Sequence, residues 1–183
     1  MTSLANGAVL TRLRPATPAD APQLASWWSA PASPYEDWSG PPPQDMSTDV
    51  RRLPPAGGGD LVVTDGVDQP IGTVSWHPVL YGPNPGSQAL DIGISLRAEF
   101  CGQGHGTRAQ RMLASLLFAT TGVHRVQAST DVANVAEQRA LERAGFTREG
   151  VLRGAQWRQG RWNDLVSYGC LREELSGLGT LGG

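Results

Sequence analysis

The chain has 183 residues, 39% of them apolar, with six tryptophans; that is enough to bury one sizeable core and too much for a disordered polymer. A formal net charge of −2 argues against a nucleic-acid partner, which calls for a basic face. No apolar run approaches the roughly 18 residues that span a bilayer, and the first fifteen residues lack a basic segment followed by an apolar one. The two cysteines, Cys101 and Cys170, make neither a metal spacing nor a disulfide framework, so a cytoplasmic protein without a metal centre or membrane contact is expected.

In chain order, Val9 to Arg14 alternates and predicts a first strand. Thr17 and Pro18 read as the N-cap and first residue of a helix that runs to Ser29. From Ala30 to Gly59 prolines and glycines crowd the chain, and little regular structure is expected beyond a short helix at Met46 to Leu53. Leu61 to Thr64 and Ile71 to Trp76 predict a hairpin about Gly66 to Gln69, with His77-Pro78 opening the next connection. Leu90, Ile92, Ile94 and Leu96 then alternate with Asp91, Gly93 and Ser95, the mark of a strand with one apolar and one polar face. Glycines follow at 102, 104 and 106, and from Thr107 the period turns helical, with Met112, Leu113, Leu116 and Leu117 as its apolar stripe. Arg125 to Thr130 predicts a strand, and Asn134 to Ala144 a helix that Gly145 ends. Arg148 to Trp157 and Asn163 to Leu171 predict a hairpin over Gln159-Gly160, and the tail from Ser176 is too glycine-rich to order itself. One domain over residues 1–183 is expected, with an ordered core of about 9–175.

The strand, glycine-rich turn and helix start between Leu90 and Thr107 suit a phosphate group. Glycines allow close backbone approach, several N–H groups share one direction, and the helix end carries about half a positive charge. Two better-known phosphate loops do not match. The chain contains no lysine, which a P-loop needs, and no acidic residue stands where the dinucleotide fingerprint wants one.

The segment CGQGHGT, Cys101 to Thr107, resembles the acyl-CoA-binding motif of the GCN5-related N-acetyltransferase (GNAT) superfamily, Arg/Gln-x-x-Gly-x-Gly/Ala, and matches its glycines at 104 and 106. Cys101 stands where that family usually has Arg or Gln. DVANVAEQRALERAGFTREGVLRG is similar to the family's second signature, and GRWNDLVSYGCLREEL to the last strand of its RimJ/RimL-like branch. The resemblance covers about Val9 to Leu175. It implies an α/β (α+β) single domain with a mixed sheet of about six to seven strands and about four helices. Two central strands would splay to hold acetyl-CoA, the expected co-substrate.

The resemblance further implies a cofactor-binding set of Ile94, Leu96, Cys101, Gly102, Gln103, Gly104, His105, Gly106, Thr107 and Asn134. Acetyl would pass directly to a primary amine, either a protein N-terminus or a small molecule such as an antibiotic. Asp91 is the candidate base, acting through water, because a carboxylate near pKa 3.9 cannot readily strip an amine near 10.4. His77 is a rival by residue type. The family's usual acid positions hold Leu141 and Glu137, leaving Ser95 and Tyr168 as possible stand-ins. Tyr35, Trp38, Trp76 and His77 are the candidate acceptor contacts, and Cys101, near a helix N-terminus, is a candidate for a lowered pKa. A non-catalytic acyl-CoA-binding module is the alternative. An exposed last strand carrying Trp162, Leu165 and Val166 would favour a homodimer.

Overall fold

The computed structural model describes residues 10–29, 33–37 and 57–177. The predicted helix at 46–53, Trp38 and the residues beyond Gly177 lie outside them. Among the described residues seven strands form one sheet, β1 (Arg12–Arg14), β2 (Gly59–Thr64), β3 (Pro70–Leu80), β4 (Gln88–Leu96), β5 (Arg125–Asp131), β6 (Thr147–Arg158) and β7 (Arg161–Leu171). Four α-helices accompany them: α1 (Ala21–Ser29), α2 (His105–Thr120), α3 (Val135–Ala144) and α4 (Arg172–Gly177). The spatial order is β1-β2-β3-β4-β5-β7-β6, antiparallel throughout except for the β4–β5 pair. This is the single mixed-sheet domain that was expected.

The core forms where the apolar faces of β2 to β5 and β7 meet α2 and α3. Val63, Ile71, Val74, Leu90, Ile92, Val126 and Val166 pack there with Leu113, Leu117 and Leu141. On α2 the buried rows are Ala109, Leu113 and Leu117 beside Gln110, Ala114 and Phe118. Met112 and Leu116, expected in the stripe, are 38% and 39% exposed, because they sit a full 100° round the helix from Leu113 and Leu117.

Other expectations need correction. β1 begins at Arg12, leaving Leu10 and Thr11 outside it while Val9 lies outside the described residues, and a 3₁₀ turn at Pro18–Asp20 precedes α1. His77 and Pro78, expected in a connection, lie inside β3 opposite Asp91 and Leu90. β2 leaves β3 at Trp76, so beyond it the outer flank of β3 has no described partner strand and tolerates a residue without an N–H. α4 takes in Ser176 and Gly177, the first residues of the expected tail. β7 is not an edge: it lies between β5 and β6, and its Val166 is buried in the core. The premise for a dimer through an exposed β7 therefore falls.

Candidate active site

The parallel pairing of β4 with β5 is two residues long. It joins Leu90 to Val126 and Asp91 to Gln127, then stops. Beyond it β4 stays paired to β3 as far as Leu96, and β5 to β7 as far as Asp131. Each limb is anchored on its outer flank, so Ile92–Leu96 and Ala128–Asp131 diverge as a wedge. The N–H and C=O groups that face into it are left for another partner.

At the open end β4 runs through a 3₁₀ turn, Ala98–Phe100, into the glycine loop. Gly102 and Gly104 have φ of +74° and +88°, a region that disfavours side chains with a Cβ. Gly104 thereby becomes the N-cap of α2, which starts at His105, two residues before the predicted Thr107. The first helical hydrogen bond runs from Arg108 N to Gly104 O, so the N–H groups of His105, Gly106 and Thr107 point out of the helix end without an intrahelical acceptor. This is an anion-binding arrangement, and it fits the diphosphate of an acyl-CoA.

The side chains in the loop behave differently from expectation. His105, named above in the cofactor-binding set, does not expose its ring. Instead it is buried, bonds Thr11 Oγ1 through Nδ1 at 3.0 Å, and meets Phe100 edge-on at 6.2 Å. Burial lowers its pKa, so the ring is neutral and only its backbone faces the loop. Cys101 is exposed, but partial desolvation and the charges of Glu36, Glu137 and Glu99 push its thiol up, not down. Desolvation first and the carboxylates second thus disfavour a thiolate nucleophile. Gln103 folds its amide back onto Glu99 O at 2.7 Å.

Asp91 occupies the closed end of the wedge. Its Oδ2 accepts from Gln127 Nε2 at 2.9 Å, across the last paired position. Burial pushes the Asp91 carboxyl above its ordinary value; the Gln127 bond and the charges at His77 and Arg125 oppose the rise. His77, exposed, is the register partner of Asp91 on β3 and shares its face. Ser95 shares that face too, but four strand residues put it about 13 Å from Asp91, too far for one proton to pass directly. Trp76 is turned the other way, packed against the core with its ring over Gly59. Neighbouring strand residues point to opposite faces, so Trp76 and His77 cannot line one side together. Tyr168 is fully buried and donates to Glu142 Oε1 at 3.2 Å, which removes it as a stand-in acid.

α3 supplies the third wall. Asn134 caps it, its Oδ1 accepting from Glu137 N at 3.3 Å. Glu137 is half-buried; desolvation raises it to about 7, against a hydrogen bond from Gln110. Gln110, 1% exposed, also donates to Gly106 O at 3.2 Å, so one buried amide ties the glycine loop to the first turn of α3. Sequence reading missed Gln110 because it interrupts an apolar row.

The turn at 33–37 lies against the tip of β5. Tyr35 donates to Ala133 O at 3.0 Å, and the Arg158 guanidinium stands 5.5 Å over its ring. Arg158 also donates to Tyr35 O at 3.2 Å and pairs with Asp131; both members of that ion pair are buried. A cleft of about 380 Å³ opens here between Tyr35, Ala133, Arg158 and Asp164. Tyr35 thus reaches the loop that leads to Asn134, and the Glu36 charge reaches Cys101.

No described helix is long and apolar enough to cross a membrane, and no cluster of three or more metal-binding side chains occurs among the described residues. Residues 11–147 match the model of an acetyltransferase (GNAT) domain. "Probable N-acetyltransferase YjcK" of Bacillus subtilis is 33% identical over 103 residues; the match covers 56% of this chain and 55% of that protein, little more than half its length. Ribosomal-protein-S5-alanine acetyltransferase from Vibrio fischeri superposes with a TM-score of 0.69 at 20% identity, covering 92% of this chain and 98% of that one. Spermidine N-acetyltransferase from Vibrio cholerae, in complex with CoA and spermine, gives 0.70 at 18%, covering 91% and 98%. With that family model matched over residues 11–147, most of the chain, the chain belongs to the GNAT acetyltransferases.

Proposed function

We propose that this protein moves an acetyl group from acetyl-CoA to a primary amine by direct attack in a ternary complex. The observation that carries this reading is the two-residue β4–β5 pairing, which opens a wedge with bare N–H groups at one end and a partly buried carboxyl at the other. The loop from Gly102 to Thr107 would hold the diphosphate, while the inner flank of Ile92–Leu96 would hydrogen-bond the pantetheine amides, with Ile94 and Leu96 beside it. Asn134 would close the α3 side.

The amine nitrogen bonds to the thioester carbon, the carbon–sulfur bond breaks, and the sulfur leaves with its electron pair. The proton lost by the amine passes through a water to Asp91. Burial raises that carboxyl and so narrows its gap to an amine near pKa 10.4. Coenzyme A thiol, near 8.5, can leave with little help, which accords with Leu141 at one usual acid position. The acceptor is a protein N-terminus or a small amine, met by His77 on the Asp91 face and by the Tyr35 turn.

A panel of amines and peptide N-termini, read by thiol release from acetyl-CoA, tests the reading. Asp91→Asn should lower kcat/KM for any accepted amine by about 100-fold or more. Binding of acetyl-CoA with no turnover on the whole panel would instead support a non-catalytic module.

A further inference from the structure

Asp91 does not stand alone. Gln127 Oε1 accepts from Tyr81 O–H at 2.6 Å and from Arg125 Nε at 3.1 Å, while its Nε2 donates to Asp91 Oδ2 at 2.9 Å. An arginine nitrogen can only donate, and an ionised carboxylate can only accept. Turning the amide over would set N–H against N–H at one end and oxygen against oxygen at the other, so one orientation is allowed. Arg125 is itself fixed by two bonds to Glu149, at 2.5 and 2.6 Å. Gly169 underlies that pair, where a Cβ would collide with both partners. His77 on β3 and Arg125 on β5 are the charged groups that act on Asp91 from neighbouring strands. Among the described residues Oδ1 of Asp91 has no hydrogen-bond partner.

Resting on the reading of Asp91 as the base, we infer that Gln127, locked by Arg125 and Tyr81, is a positioning residue that directs the proton taken up by Asp91 onto Oδ1. The amide always presents N–H to Oδ2, so that oxygen accepts in both protonation states. Oδ1 is the oxygen left to receive a proton from water. The same N–H favours the ionised form, which keeps the base competent at lower pH than its burial would otherwise allow.

The test follows the acidic limb of the pH profile of kcat/KM and, separately, titrates the Asp91 carboxyl by carbon NMR in the free protein. Gln127→Met keeps the side-chain length but not the donor; midpoint and limb should both move up by about one pH unit. Gln127→Glu sets a second carboxyl against Asp91 while keeping Arg125 and Tyr81 satisfied, and should move both further, with the two acids titrating as a coupled pair. A fall in kcat with an unmoved limb would reduce Gln127 to a structural role and overturn the inference, as would an unshifted Asp91 titration in both variants. The base reading fails on its own evidence, full activity in Asp91→Asn, and the NMR midpoint still decides whether Gln127 holds Asp91.

Discussion

The open and closed ends of the β4–β5 wedge are built from different materials. At the open end the groups left without a partner are main-chain N–H groups, displayed by two left-handed glycines and the start of α2. The loop side chains turn away, His105 into the core and Gln103 back onto Glu99. At the closed end the working parts are side chains: Asp91, Gln127, Arg125 and Tyr81, each oriented by the next. On the proposed reading, a grip made of backbone would tolerate exchange of side chains, and Cys101 could stand where the family usually carries Arg or Gln. A site made of side chains depends on every member being the right one.

The sharpest challenge to this contrast is the β5 tip, where a side-chain ion pair anchors the open end. Arg158→Met would leave Asp131 buried without its partner and should cost about 3–5 kcal/mol, read by denaturant unfolding. A loss below about 1 kcal/mol would mean that backbone pairing to β7 holds the limb unaided. Next, Gly104→Val forces a β-branched residue to a φ of +88°, costing about 1–2 kcal/mol. It should raise KM for acetyl-CoA about 10-fold while kcat changes little; an unaltered KM would show that the helix end does not hold the donor.

The smallest expected effect separates the two ends by pH. Burial raises Glu137 to about 7, so the folded protein keeps a proton that the unfolded chain releases near 4.5. Stability therefore falls as pH climbs from about 4.5 to 7, and the loss is complete above that window. Glu137→Gln should remove this decline, gaining about 1–2 kcal/mol over the native protein at pH 8 and little at pH 4. Thermal melts across that range check it, and parallel curves for the two proteins would count against a buried Glu137.

The same contrast governs what could be read in the sequence. Glycine spacing at 102, 104 and 106 and the alternation from Leu90 to Leu96 report backbone geometry directly, so the loop and the central strand were legible, while the mixed sheet came only with the family resemblance. Alternation in Arg125–Thr130 set Gln127 beside Arg125 on one face, yet only the register of β4 against β5 puts it opposite Asp91. Parallel register is fixed by the packing of both strands on α2 and α3, which no local pattern carries. The settings of Glu137 and His105 were hidden for a related reason: their hydrogen-bond partners, Gln110 and Thr11, lie far away in the chain. Pro78 hid the second half of β3, since a missing N–H reads as a break until the free flank of the strand is known.

β7, inserted between β5 and β6 although it follows both in the chain, carries a consequence for biosynthesis. Until Leu171 has left the ribosome, β5 has neither its antiparallel neighbour nor, through the Arg172 bonds to Phe118 O and Thr121 O, the clamp on the end of α2. The nascent chain would thus emerge with β5 held only by its two-residue pairing to β4 and gain its second flank at the end. A stalled or shortened product lacking that strand would present β5 as a raw edge to chaperones and proteases, with no route to a partly active enzyme.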